Sequence, residues 1–278
     1  MRDLSRLLVC LCSSTAAAWA QGAFEVQVYG SESTPPRVTV LETHSNFTLR
    51  GTKTVEGGVL PTHRAFHETI EITHGFTDWY ETGFYIFTSH QPQRGWMWVG
   101  DHIRPRFTVP ERFGLPVGLS LSVEVGYQRP AFSADTWTCE IRPIVDKKLG
   151  RWYASFNPTL DRSFHGPEST RGFQFSPNVK LSYDVTKRVS GGIEYYGSLG
   201  PITGFDRLRD QQQQILPAID LNLSEKWEVN FGAGIGMTRS TDHLLIKVII
   251  GRRFKRGSRP AKAGRSRPSD TAPRGRRS

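Results

Sequence analysis

From Gly172 to Val185 the chain alternates with a period of two. Phe173, Phe175, Val179, Leu181, Tyr183 and Val185 fall on one face, and Gln174, Ser176, Asn178, Lys180, Ser182 and Asp184 on the other. Successive side chains of a strand point to opposite faces, whereas a helix groups residues three and four apart, so this spacing dictates a two-faced β-strand. The division recurs at Val117 to Tyr127, where Leu119, Leu121, Val123 and Val125 alternate with Ser120, Ser122 and Glu124. It recurs again at Trp227 to Thr238, where Val229, Phe231, Ile235 and Met237 oppose Glu228, Asn230, Gly232, Gly234 and Gly236. Extending the template predicts strands near 37–50, 65–75, 80–90, 97–109, 116–127, 135–146, 151–162, 172–184, 188–198, 213–223, 227–238 and 243–254, separated by turn residues.

The connectors alternate in length. Those after even strands, 76–79, 110–115, 147–150, 185–187 and 224–226, are mostly tight. Several after odd strands, such as 52–64, 163–171 and 199–212, are long and rich in Gly and Pro, although those after the third and eleventh are short. An even strand count with short turns at one end and long loops at the other is the signature of a closed antiparallel transmembrane β-barrel, all-β, with the short turns on the periplasmic side.

A soluble sandwich shows the same alternation with its apolar face turned inward, so the polar face has to decide. That face carries ionisable groups in mid-strand: Glu71, Glu81, Arg104, Arg106, Glu124, Glu140, Arg142, Asp161, Lys180, Glu194, Asp220, Glu228 and Lys247. Such a set requires water or mutual pairing, and a barrel lumen offers both. Aromatics gather at strand ends, among them Phe76, Trp79, Tyr80, Trp96, Trp98, Tyr127, Trp137, Trp152 and Trp227, as in the girdles at a membrane's two interfaces. Pro143, Pro158, Pro177 and Pro217 each remove a ladder donor inside a strand and predict local bulges.

The first residues read as an export signal: Arg2 and Arg6, an apolar run over Leu7 to Cys12, and the small-residue pattern Ala18-Trp19-Ala20, so residues 1–20 are removed and the mature chain begins at Gln21. Cys139 is then the only thiol, which excludes an intramolecular disulfide. No later stretch approaches the roughly 18 apolar residues of a membrane helix. The net charge of +10 belongs wholly to residues 252–278, with eleven Lys/Arg and one Asp. Residues 255–278, of Arg, Pro, Ser and Gly without periodicity, are expected as a disordered basic tail. Residues 21–36 are expected as a periplasmic segment before a barrel over 37–254.

The segment Leu244 to Phe254 resembles the closing strand of bacterial outer-membrane proteins, which alternates apolar residues and ends on an aromatic; Leu244, Ile246, Val248, Ile250 and Phe254 occupy those places, with Arg252 and the following tail as departures. That resemblance implies a strand read by the barrel-assembly machinery. The runs Gly75 to Gly83 (GFTDWYETG) and Leu181 to Thr186 (LSYDVT) are similar to uncharacterised barrels near the phenol-degradation (MetA-pathway) outer-membrane transporter family. The resemblance implies transport and carries over no binding residue.

The functional expectation is a passive channel for small solutes in the outer membrane, without cofactor, metal or covalent chemistry. Rings of fixed charge in a narrow pore govern which solutes enter. Arg104, Arg106, Arg142, Lys180 and Lys247 are the first candidates for solute contact, with Glu124, Glu140, Glu194, Asp220 and Glu228 as their acidic complement. The competing reading is a sealed barrel in which acids and bases neutralise one another, as Glu124 with Arg142 or Lys180 with Asp220. His63 and His67, four apart, lie at a loop-to-strand junction where that spacing does not make a metal site. His165 near Asp161 and Ser163 raises a lipid-modifying enzyme as a third reading. Gly232 to Gly236 precedes no helix, so its glycines are expected to make room for bulky lumen neighbours instead of cradling phosphate. Outer-membrane lipid is the expected partner, and an exported chain is not expected to bind nucleic acid through its tail.

Overall fold

The computed structural model describes residues 24–255; the segments expected as an export signal and, after Lys255, as a basic tail lie outside the described residues. Among the described residues, twelve antiparallel strands form one closed cylinder: β1 Val38–Arg50, β2 Phe66–Gly75, β3 Tyr80–Gln91, β4 Gly95–Thr108, β5 Gly118–Gln128, β6 Trp137–Leu149, β7 Trp152–His165, β8 Gln174–Asp184, β9 Val189–Ser198, β10 Gln212–Ser224, β11 Trp227–Gly236 and β12 Leu244–Lys255. Each strand pairs with its neighbours in sequence. β1 completes the ring against β12, from Val38 opposite Lys255 to Arg50 opposite Leu244. An even number of strands is what permits antiparallel pairing all the way round, and closure leaves no edge of unpaired amides.

The two faces are inverted relative to a water-soluble protein. Phe84, Ile103, Leu121, Phe156, Leu181, Ile193, Ile219 and Phe231 are exposed on the outside. Their inward-facing neighbours, including Glu71, Arg104, Arg142, Glu194 and Lys247, are buried. Carbon outside and charge inside on every strand is stable only when hydrocarbon surrounds the cylinder. Aromatics ring both rims. Trp79 stacks with Phe107 at 6.2 Å at the end with tight turns, and Tyr127 meets Trp137 at 5.4 Å at the end with long loops.

The bulges expected at the prolines do not form. Register runs unbroken with Leu121 opposite Pro143, Pro158 opposite Pro177 and Pro217 opposite Ile193. Shifts fall elsewhere, between Thr48 and Arg50, Phe87 and Thr88, Trp137 and Thr138, and Asn222 and Ser224. The missing N–H is absorbed differently: β6–β7 pairing lapses between Ile141/Leu160 and Val145/Phe156 and resumes in the same register. Facing prolines suit a non-hydrogen-bonded position of an antiparallel ladder, where neither residue donates to the other.

The segment before β1, expected in the periplasm, runs inside the cylinder. Pro35 to Val38 form a turn closed by Val38 N–H donating to Pro35 O at 3.1 Å, with Pro36 second and Arg37 third at φ 66°, as a type II turn requires. Gly75 makes this reversal possible, because a Cβ there would lie 2.1 Å from Thr34 O and 2.4 Å from Pro35 O. From the turn the segment leads back through the lumen to Phe24, in the half nearer the long loops. The sequence Phe24-Glu25-Val26-Gln27-Val28-Tyr29 is too apolar to favour open water, and the barrel offers it two inward apolar patches. Val26 and Val28 pack with Tyr196, Leu216 and Leu245; Phe24 packs with Tyr85, Phe87, Val99 and Phe132.

Candidate functional site

The lumen is built from the inward positions of all twelve strands, and residues 24–36 are its occupant. Each polar anchor of the segment is met by a side chain from a different strand. Asn46 on β1 and Thr69 on β2 donate to Phe24 O at 3.3 and 2.7 Å. Lys247 on β12 donates to Val26 O at 3.0 Å. On β7, Ser155 and Asn157 donate to Tyr29 O at 2.6 and 3.0 Å, and the Asn157 amide oxygen accepts from Tyr29 N–H at 2.9 Å. Asp146 on β6 accepts from Ser31 N–H and Oγ–H at 2.9 and 2.7 Å.

Tyr29 is the centre of the arrangement. The guanidinium carbons of Arg104, Arg106 and Arg142 lie 5.0, 4.8 and 4.7 Å from its ring centroid. Stacking of guanidinium on an aromatic face in a desolvated space contributes on the order of 2 kcal/mol per contact. The Tyr29 hydroxyl is hydrogen-bonded to Glu25 and lies 3.2 Å from the Tyr85 hydroxyl, which accepts from Arg104 Nε. Arg106 also reaches Gly30 O and Glu32 O at 3.4 and 3.3 Å.

Some ion pairs join register partners, as Glu81 with Arg106 and Lys180 with Glu194, and others reach past an intervening strand or across the lumen. Arg104 pairs with Glu71 at 2.6 Å and Glu81 at 3.5 Å, and Glu81 also faces Arg106 at 3.4 Å. Glu194 joins Lys247 at 2.5 Å and Lys180 at 3.3 Å, and Lys180 pairs with Asp220 at 2.8 Å as the alternation suggests. The expected pair of Glu124 with Arg142 is not formed. Register places Ser122 opposite Arg142 and Glu124 opposite Glu140. Arg142 therefore takes Glu140 at 2.6 Å and Glu25 at 3.5 Å, while Glu124 takes His102 at 2.6 Å. Glu228 faces the lumen near the tight-turn rim and holds Arg253 at 2.7 Å. On the opposite face of β12, Ile250 and Phe254 are exposed, in line with Leu244, Ile246 and Val248.

The long loops are tied across the opposite mouth. Leu60 N–H donates to Ala131 O at 2.8 Å, and Arg171 bridges Glu168 and Asp206 at 2.8 and 2.6 Å. Burial raises the pKa of Glu168 against the lowering effect of Arg171. Asp242, in the β11–β12 loop, accepts from Thr62 Oγ–H at 2.7 Å, and burial holds its carboxyl above the usual range.

The residues that raised an enzymatic reading are not assembled for one. Ser163 Oγ–H donates to Asp135 at 2.7 Å, the His165 ring is bonded to Thr136 Oγ1 at 2.9 Å, and Asp161 accepts from Ser176 at 2.6 Å. His63 belongs to the β1–β2 loop and His67 to β2, where its ring meets Phe24 edge-on at 4.4 Å. Gly232 and Gly234 do make room: a Cβ would stand 3.0 Å from Lys247 Cε and 2.9 Å from Gln214. What the alternation does not foresee is the lumen's apolar share. Its signal is that Phe84-Tyr85-Ile86-Phe87, Ile215-Leu216 and Leu244-Leu245-Ile246 are apolar on both faces, so the inner face there needs an apolar occupant.

No family model matches the chain, and no match was found among curated proteins. In fold it is similar to the KdgM porin, with a TM-score of 0.53, 8% identity, and coverage of 77% of this chain and 99% of that one. It is also similar to the NanC porin, with a TM-score of 0.51, 7% identity, and coverage of 77% and 99%. What they share is the closed barrel of outer-membrane porins.

Proposed function

We propose that the chain is an outer-membrane channel of porin type whose passage for small solutes is stoppered by its own residues 24–36. One observation carries this reading: four of the five bases singled out for solute contact, Arg104, Arg106, Arg142 and Lys247, bind the segment. A lumen that holds its contents through side-chain contacts, with no strand pairing to the segment, is one from which those contents can be withdrawn. Withdrawal exposes a charged passage in which these bases, with Lys180 and the acids Glu124, Glu140, Glu194, Asp220 and Glu228, select among solutes. The likeness of Gly75 to Gly83 to the phenol-degradation transporter barrels supports transport as the role. On this reading the outer-membrane lipid contacts the apolar belt, and the alternating outer face of β12, with Leu244, Ile246, Val248, Ile250 and Phe254, serves the assembly machinery.

The test is planar-bilayer conductance of the mature chain and of a chain lacking residues 24–34. The expected result is a quiet full-length barrel and a steadily conducting truncated one. Equal conductance of the two refutes the stopper. Insulation by both, with the truncated barrel folded, favours a second reading that the extensive ion pairing also supports: a sealed barrel with a structural or binding role.

A further inference from the structure

Glu42 on β1 stands directly opposite Glu71 on β2, and both point into the lumen. Like charges directly opposed across a strand pair are destabilising unless a cation lies between them. His44, two positions further along the same face of β1, places Nε2 3.2 Å from Glu71 Oε2. It is fully buried, yet its Nδ1 has no hydrogen-bond partner. One donor atom from each of Glu42, His44 and Glu71 lies within 4.8 Å of the others. Among the described residues Glu42 makes no hydrogen bond and no ion pair, although Arg104 is nearby and bound to Glu71.

The occupied and open sides of these groups are sorted. Arg104 and Thr73 both take Glu71 Oε1, at 2.6 Å each, which leaves Oε2 turned toward His44. Such contacts behind a ligand orient it and commonly affect affinity ten- to a hundred-fold. Across β1–β12, Gly251 faces Glu42. A Cβ on Gly251 would lie 3.1 Å from Glu42 Oε1 and 2.8 Å from Glu228 Oε1, so the missing side chain keeps space open beside Glu42.

We propose that Glu42, His44 and Glu71 form a divalent-cation site in the lumen wall, beside the seam where the barrel closes. Two carboxylates and an imidazole suit a first-row ion such as Zn2+ or Mn2+, and supply too few oxygens for Ca2+. Tetrahedral ligands of such an ion lie on the order of 3.5 Å apart, a contraction that rotation of Glu42, which no hydrogen bond holds, supplies. Bound there, the ion neutralises the opposed acids and clamps β1 to β2.

The test is calorimetric titration of the untagged, EDTA-treated, folded barrel with ZnCl2, MnCl2 and CaCl2. One Zn2+ or Mn2+ per chain is expected, with Ca2+ at least tenfold weaker. Glu42→Gln and His44→Gln are each expected to weaken binding at least tenfold, and His74→Gln to leave it unchanged. Gly251→Ala, which alters no ligand, is expected to weaken it too. Zinc-edge absorption of the loaded protein is expected to show oxygen and nitrogen neighbours including a single imidazole, with no sulfur. Absence of saturable binding to the wild-type barrel overturns the site. So does binding that survives both Glu42→Gln and His44→Gln, or a shell with several imidazoles. The readout is independent of whether the barrel conducts.

Discussion

Lys247 donates to the carbonyl of Val26 across 3.0 Å, and the same ammonium lies 2.5 Å from Glu194. The strand that closes the ring thus holds both the segment inside it and an acid on β9. Lys247 is wholly buried. Removing one member of a buried pair costs about 3 to 5 kcal/mol, because the other is left uncompensated. Glu194 keeps Lys180 at 3.3 Å, so Lys247→Met is expected near the lower end, about 3 kcal/mol, read as a lower urea midpoint in detergent. The variant should also release the segment more readily, read as a higher open probability in bilayers.

Tyr29→Ala removes the ring shared by three guanidinium groups and leaves a void in the centre of the lumen. Deleting a large buried aromatic costs about 3 to 5 kcal/mol, here in the anchoring of the segment, while the strands keep their pairing. Limited proteolysis is expected to cut within residues 24–36 of this variant and not of the wild type, with the barrel itself resistant.

Gly75→Val tests the entry point without touching any lumen charge. Its Cβ would collide with main-chain oxygens of Thr34 and Pro35 at 2.1 and 2.4 Å. Atoms of the backbone have little freedom to retreat, so the reversal before β1 is expected to be displaced. The expected outcome is conductance approaching that of the truncated chain, with heat-modifiable migration preserved.

Asp242 gives the loop end a pH dependence. Burial raises its pKa above the ordinary carboxylate value. A group whose folded pKa is raised adds stability below its unfolded value and loses it as pH climbs through the folded one. The packing of the loop end around buried Asp242 is therefore expected to loosen over the interval from the ordinary aspartate range up to the raised value, even though the Thr62 hydrogen bond itself favours the ionised carboxylate. Exchange of the Thr52 and His63 amides, corrected for intrinsic rates, should accelerate across that interval in the wild type and stay flat in Asp242→Asn.

The cylinder was legible because each strand carries its orientation in its own alternation. Val117 to Tyr127 and Gly172 to Val185 need no partner to reveal their two faces, and the ionisable groups in mid-strand then assign the apolar one to lipid. Ion pairs were less legible, since they depend on register between strands. Lys180 with Asp220 forms, but Glu124 with Arg142 does not, because one step of pairing sets Glu140 against Glu124 instead. The Glu42, His44 and Glu71 group was invisible for the same reason: spacing along β1 shows two of its members, and only the β1–β2 register brings the third. The place of residues 24–36 was hidden most deeply. Their apolar alternation is short, and the patches that receive them come from β3, β4, β9, β10 and β12, far apart in sequence.

The order of the chain adds a constraint on how this molecule is made. Residues 24–36 precede β1, yet they end up surrounded by strands that follow, the last of which zips against the first. No later step can pass the segment through an intact wall. Either the sheet curls around a strap already lying on its concave side, or the strap is drawn in through a mouth after the seam has sealed. The turn at Pro35 to Val38 keeps the second route short, since it needs only a hinge swing about one rim.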